Sequence, residues 1–225
     1  MSAPSHRLPS ADDPAPATVS RQEGSAPIFF TCEHAGRTIP GNCGLSPAEI
    51  TARASEIHRP FHDAVAQGLN ARRTAGLPTN LIAVHSFTPV FEGMRRPWHI
   101  GLLFNRDPRL ARILASLIGE DQSVDVSTNE PYAISDSTDF TIPEHGEKRG
   151  IPHVEIEIRQ DLSESADGQS AWANRLANWF LRGLEIPSVM GWIRGVSTHS
   201  RANGPLKGAL GSAVQTIVIL FGGSA

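Results

Sequence analysis

Cysteine is scarce in this 225-residue sequence, with only Cys32 and Cys43 present, so no disulfide framework is expected to hold the chain together. Cys32 lies in an apolar run where it reads as a small core residue, and a reducing cytoplasm is the expected setting. Long apolar runs are missing as well. None approaches the roughly 20 residues that cross a bilayer, so a soluble protein with no membrane partner is expected. Neither sign of charge dominates. A formal net charge of -3 leaves no basic face for a phosphate backbone, and nucleic acid is not an expected partner.

Several chemical signatures are also absent. There is no P-loop, no dinucleotide fingerprint and no G-x-S-x-G nucleophile elbow, which removes the usual sequence support for nucleotide chemistry or a serine hydrolase. The H-E-x-x-H zinc signature is missing too, because Arg59 follows His58 and Glu56 precedes it.

The composition that is present, 40% hydrophobic and 19% charged, suits one α/β domain with a sizeable core. Residues 1–26 are crowded with Pro, Ser, Ala and Asp and read as a disordered leader, residues 27–185 as the domain, and residues 186–225 as an atypical tail.

Within the domain the apolar run from Pro27 to Cys32 suits a buried strand that ends at Glu33-His34-Ala35-Gly36. Ser46 and Glu49 form a capping-box pattern, and Ile50, Ile57, Phe61, Val65 and Leu69 follow at helical spacing. A helix over about 47–74 is predicted, kinked or broken at Pro60. Leu81–Val84 is a second buried strand, ending at His85-Ser86. Further strands are predicted at Ile100–Phe104, Val124–Val126 and His153–Ile158, with helices at Arg109–Ile118 and Gln169–Leu184. Trp172, Leu176, Trp179 and Phe180 share one face of the last helix. Alternation of this kind predicts a three-layer α/β/α domain with a mixed, mostly parallel sheet, and ligands in the crevice beyond the strands' carboxyl ends.

His34 and His85 fall at two such ends, where a rigidly held imidazole suits a metal ion. Each taken singly also reads as a hydrogen-bonded turn residue. Catalytic zinc takes three protein ligands, and two histidines leave the set incomplete. His58 and His62 share a helix face with Asp63 alongside, a spacing that equally arises on a solvated surface. Glu155 and Glu157 alternate with apolar residues in VEIEIRQDL, so both point to one side of the strand. Either one of them is a general base or that side is simply wet, and Arg159 is placed to pair with one of them. Arg95, Arg96 and Arg106 are candidates for gripping a carboxylate with the guanidinium fork. Asn129 and His145 lie in loops, where ligand contacts concentrate.

Through FFTCEHAGRTIP, PGNCGLS, IHRPFHDA, HSFTPV, RPWHIGLLFNRDPRLA, NEPY, HGEKRGIPHVEIEIRQDL and the tryptophan-bearing helix after them, the chain resembles the N-formylglutamate amidohydrolase family from about Ile28 to Leu184. The resemblance implies a phosphorylase/hydrolase-like α/β/α fold related to zinc carboxypeptidases and a metal-activated water that attacks a linear amide. The type activity converts N-formylglutamate to formate and glutamate. It further implies one zinc or other divalent ion held by His34 and His85, and Glu157 as general acid or base. Asn129, His62 and an arginine near Arg95 or Arg96 are implied to line the substrate pocket.

Two departures from the family pattern stand out. CEHAGRTIP runs almost directly into PGNCGLSPAE, where the family has a longer stretch. That stretch carries a helix with an aspartate resembling the remaining metal ligand, and a strand with an Arg and an Asp-x-Asn-Arg sequence. Its absence predicts an incomplete fold, an open metal site and unpaired backbone groups, and so a degenerate, non-catalytic relative as the alternative to an enzyme. The tail from about 186 is the second departure. A missed intron or frameshift accounts for both, a hypothesis that recovery of this same frame from the native transcript would overturn. The tail's apolar run, Ile217–Phe221, offers a third reading, an interaction module exposed or paired along a sheet edge.

Overall fold

The structure is a computed structural model, and it describes residues 15–33 and 46–184 together with the backbone of 215–218. In chain order the elements are β1 Thr18–Ser20, β2 Ile28–Cys32, α1 Pro47–Arg53, α2 Arg59–Thr74, β3 Asn80–Phe87, β4 Val90–Phe91, β5 Met94–Arg95, β6 Ile100–Leu103, α3 Arg109–Ile118, β7 Val126–Thr128, β8 His153–Arg159, α4 Ala166–Leu184 and β9 Gln215–Val218.

Helix α1 begins where the capping box places it. Ser46 Oγ accepts the Glu49 N–H, and the Glu49 carboxylate accepts the Ser46 N–H at 2.8 Å. Between α1 and α2 the chain widens into a π-helical turn, Ala54–His58. Pro60, which has no N–H to donate, then falls in the first turn of α2. The helical backbone therefore does not break at Pro60: it runs on through the π turn, which is the one irregularity and lies just ahead of the proline.

Among the described residues one sheet has seven strands in the order β1-β9-β2-β3-β8-β6-β7. Strands β9, β2, β3 and β8 are mutually parallel, while β6 runs antiparallel to β8 and β1 antiparallel to β9. The fold is thus α/β with a mixed, mostly parallel sheet, as the alternation of elements implies. Helices α3 and α4 cover one side through Leu110, Leu114, Ile118, Trp172, Trp179 and Phe180, packed on Ile82, Ile100, Leu102, Val154 and Ile156. On the other side, Phe61, Val65 and Leu69 of α2 pack on Phe29 and Leu81. Ile134 and Ile142, from the long segment before β8, pack beside them on Ala83 and Leu103.

Four expectations are corrected. Part of the supposed disordered leader is ordered: Thr18–Ser20 forms a strand and Ala26 is buried in the core. Arg72 of α2 reaches this segment and donates to the carbonyls of Gly24 and Ala26. Residues 215–218 of the tail lie inside the sheet between β1 and β2 and not on its edge, because β1 pairs along their outer side; the rest of 186–225 lies outside the described residues. That placement also gives β2 a neighbour on each side, so no open edge remains along it. His85 does not end its strand. Strand β3 continues to Phe87, with His85 opposite Glu157 and Phe87 opposite Arg159 on β8. Finally, neither side of β8 is wet: Glu155 is 0% and Glu157 3% exposed, because α2 and the 130–147 segment roof that side.

Candidate active site

The register of the sheet assembles the site. Thr31 of β2 pairs with Ala83, Ala83 with Glu155, and His85 with Glu157, while Gly101 of β6 lies opposite Glu157. Side chains alternate along a strand, so Thr31, His85, Glu155, Glu157 and Gly101 all present to the side roofed by the 130–147 segment. Three of them, His85, Glu155 and Glu157, place nitrogen and carboxylate ligand atoms within 4.8 Å of one another.

Gly101 explains how the roof gets close. The Glu130 carbonyl oxygen crosses directly above it, and a Cβ at this position would stand 1.9 Å from that oxygen. Asn129 fixes the crossing in the left-handed backbone region, with φ at 52°. Its N–H donates to Leu102 O and its Oδ1 accepts the Phe104 N–H at 2.9 Å. Tyr132 is thereby delivered to the carboxylates, with its hydroxyl 2.5 Å from Glu157 Oε1 and 3.0 Å from Glu155 Oε1.

His85 is held between carboxylates. Its Nε2 hydrogen-bonds the Glu33 carboxylate, and its Nδ1 faces Glu155 Oε1 at 3.8 Å. Burial disfavours the imidazolium, yet the Glu33 bond and the charges of Glu33, Glu155 and Glu157 outweigh it and push the His85 pKa up to about 9. Burial likewise pushes Glu33 up, but the bond and charge of His85, with the Thr141 hydroxyl, hold it below the usual carboxylate value. Glu155 is pushed up to about 9, first by burial, against the opposing charge of His85 and with Asp139 carboxyl to carboxyl beside it. Burial also raises Glu157, opposed by Tyr132, His85 and the charge of Arg96. The Tyr132 phenol is raised by its own burial and by the two carboxylates.

Next to Glu33 stand two more imidazoles. His62 Nδ1 and His145 Nε2 are 3.1 Å apart, and the edge of Phe140 and the ring of His58 close the cluster. Burial, with repulsion from His58 and His145, drives His62 down to about 3. Burial, with repulsion from Arg149, drives His145 down to about 4. Both rings are therefore neutral at pH 7, and one donates its single ring proton to the other.

Two of the three arginines expected to grip a carboxylate share a separate cleft, and Arg159 joins them. Arg95, Arg96 and Arg159 line one cleft of about 350 Å³ together with Pro89, Val90, Pro97 and Asp161. Arg159 is committed to Asp161 and to the Pro97 carbonyl. Arg96 stacks on Phe91, its guanidinium carbon 4.7 Å from the ring centroid, and contacts Thr88 only weakly. Arg106 is not drawn into this cleft but pairs with Asp136 and Glu147. His34 lies outside the described residues. The sequence singled out neither Glu33 nor Tyr132. Glu33 is adjacent to the expected ligand His34, and Tyr132 ends the NEPY string, which are the available signals.

The family model of N-formylglutamate amidohydrolase matches residues 39–163, more than half of the chain. The chain belongs to the N-formylglutamate amidohydrolase family. This N-formylglutamate amidohydrolase family member is similar to the crystal structure of gene product Atu2144 from Agrobacterium tumefaciens. The TM-score is 0.69 at 26% identity, covering 76% of this chain and 95% of that one. A second similar structure is N-formylglutamate amidohydrolase from Ralstonia eutropha JMP134, at 18% identity and a TM-score of 0.46 over 67% of this chain and 56% of that one. No curated protein matches it. Among its described residues no helix is long and apolar enough to cross a membrane.

Proposed function

We propose that this family member is a metal-dependent hydrolase of a linear amide. Its substrate is a small N-acylated amino acid such as N-formylglutamate, its products are formate and the free amino acid, and the cytoplasm is its setting. The observation that carries the reading is the buried set His85, Glu155 and Glu157 on one side of the sheet, with Tyr132 bonded to its carboxylates. The chemistry of the set fits a divalent cation. It joins an imidazole to carboxylates, and no protein donor among the described residues reaches Glu155 Oε2 or Glu157 Oε2.

In this reading His34 and His85 hold one ion, zinc being the first choice for such ligands. The ion, when bound, supplies Lewis acidity that polarises the amide carbonyl and acidifies water. Glu157 takes a proton from the attacking water and returns it to the leaving amine, a role that suits a carboxylate whose hold on a proton is strengthened by burial. Tyr132 fixes the orientation of that carboxylate. Arg96 grips a substrate carboxylate in the cleft that it shares with Arg95 and Arg159, and its charge already acts on Glu157. His62 and His145 border the pocket as neutral hydrogen-bonding rings, while Asn129 shapes the loop that roofs it.

Formate release from N-formylglutamate by zinc-loaded protein, against an EDTA-treated control, is the test. Equal rates in the two samples would remove the metal-dependent reading. The second reading, a non-catalytic binder of an amino-acid-like ligand, draws support from the stretch missing after Pro40 and predicts ligand binding without turnover.

A further inference from the structure

The two ring nitrogens of His85 have different surroundings. Nε2 is bonded to Glu33, so it carries a proton, and the second nitrogen, Nδ1, is turned toward Glu155 Oε1 at 3.8 Å. A carboxylate that fixes the tautomer and orientation of an imidazole through one nitrogen is the usual partner behind a ligating histidine, whose other nitrogen meets the metal. Glu33 stands in that position. Two donors bound at about 2.1 Å to one ion stand no more than about 4.2 Å apart, and the Nδ1 to Glu155 distance falls within that span.

Charge points the same way. Glu33, Glu155 and Glu157 converge on this spot, and Asp139 abuts Glu155. Among the described residues His85 is the one basic side chain forming an ion pair with any of them. So many buried carboxyl groups around one imidazole suit a cation, which takes the place of the protons that burial otherwise keeps on them. Glu155 is fully buried, and its Oε2 has no protein donor among the described residues. Glu157 also has an Oε2 without such a donor, but it takes the shorter Tyr132 contact, 2.5 Å against 3.0 Å, and of the two carboxylates it is Glu155 that comes within ion-pair distance of His85.

We propose that Glu155 is a metal ligand of this chain: a divalent cation binds between His85 Nδ1 and the Glu155 carboxylate, Glu33 orients His85 from behind, and Glu157 stays off the ion. The proposal rests on the metal-dependent reading above. It makes strand β8 the source of a carboxylate ligand, so the metal shell does not depend on the stretch missing after Pro40 to provide one.

The test is metal binding by the full-length, metal-free chain, read by cobalt(II) absorption and by zinc calorimetry. Glu33→Gln weakens binding by about 10- to 100-fold, the range for a partner that orients a ligating histidine. Glu155→Gln weakens it more than Glu33→Gln does, and Glu157→Gln leaves it within about threefold of the wild type. Wild-type affinity in Glu155→Gln, or an equal loss in Glu157→Gln, overturns the assignment while leaving the metal-dependent reading intact. No binding by the wild type overturns both. Should Glu155→Gln fail to fold, zinc-loaded wild-type crystals decide. An anomalous peak about 2.0–2.2 Å from a Glu155 oxygen supports the proposal, and a peak at His85 out of reach of Glu155 overturns it.

Discussion

Tyr132 Oη lies between two buried carboxylates, 2.5 Å from Glu157 Oε1 and 3.0 Å from Glu155 Oε1, although it has only one proton to donate. Its hydroxyl therefore serves one carboxylate at a time, and the shorter contact favours Glu157. Tyr132→Phe removes that bond without opening a cavity. It is expected to lower kcat by about 10- to 100-fold with a small change in KM, and to cost about 1–3 kcal/mol of stability from the stranded acceptors. Steady-state kinetics and urea unfolding check the two halves, and an unchanged kcat would show that Glu157 needs no such partner.

Gly101→Ala acts on the same pair from a distance. The added methyl would meet the Glu130 carbonyl at 1.9 Å, so the 129–132 crossing must lift. A loss of about 1–3 kcal/mol is expected from overpacking, with a fall in activity as Tyr132 leaves its carboxylates. Full activity together with reduced stability would separate the crossing from the chemistry.

A further prediction concerns pH. His85 and Glu155 have folded pKa values raised to about 9 from ordinary values of 6.5 and 4.5, so the folded state holds more protons than the unfolded one over those ranges. Their contribution is present at low pH and is lost as pH rises toward 9. His62 and His145 act oppositely, since pKa values lowered to about 3 and about 4 make stability rise with pH up to about their ordinary value of 6.5. The metal-free protein is therefore expected to lose stability between pH 6.5 and 9. Thermal melting in EDTA tests this, and Glu155→Gln should flatten the decline.

Arg96 gives a binding prediction. Arg96→Ala should raise KM for N-formylglutamate by about 10- to 100-fold and leave kcat nearer the wild-type value, as expected for a charged hydrogen bond made equally in ground and transition states. The same substitution should matter little for a formylated amine without a carboxylate. Equal effects on both substrates would place the anion site elsewhere.

Arg72 offers a control remote from this chemistry. Its guanidinium donates four hydrogen bonds, to Thr79 Oγ1 and to the carbonyls of Gly24, Ala26 and Pro78, with no carboxylate among them. Arg72→Met should destabilise the fold by about 2–4 kcal/mol and leave the activity per folded molecule unchanged. Circular dichroism melts with active-site-normalised rates measure both.

Much of the sheet was legible because β2, β3 and β8 are short apolar runs with turn residues between them. Helix α3 matches its predicted bounds, Arg109–Ile118, because its buried positions repeat at helical spacing. Direction was less legible: nothing local to Ile100–Leu103 states that β6 runs antiparallel to β8, since that depends on the path of the connections. The alternation in β8 showed that Glu155 and Glu157 share a side. It could not show that this side is dry, which follows from a roof built by distant residues such as Phe61, Ile134 and Ile142. Tyr132 was hidden for a similar reason, as its reach is set by the crossing above Gly101.

Strand β9 ties the folding of this sheet to synthesis. Among the described residues, 18–20 pair with the sheet through residues 215–218, so this early strand lacks that partner until residue 215 has been made. During that interval one flank of β2 is an open template for another chain, and closing it requires contacts of very large sequence separation, the slow kind. Nascent or prematurely terminated chains that stop short of residue 215 are thus the species most exposed to strand exchange and aggregation, and chaperone dependence should concentrate there.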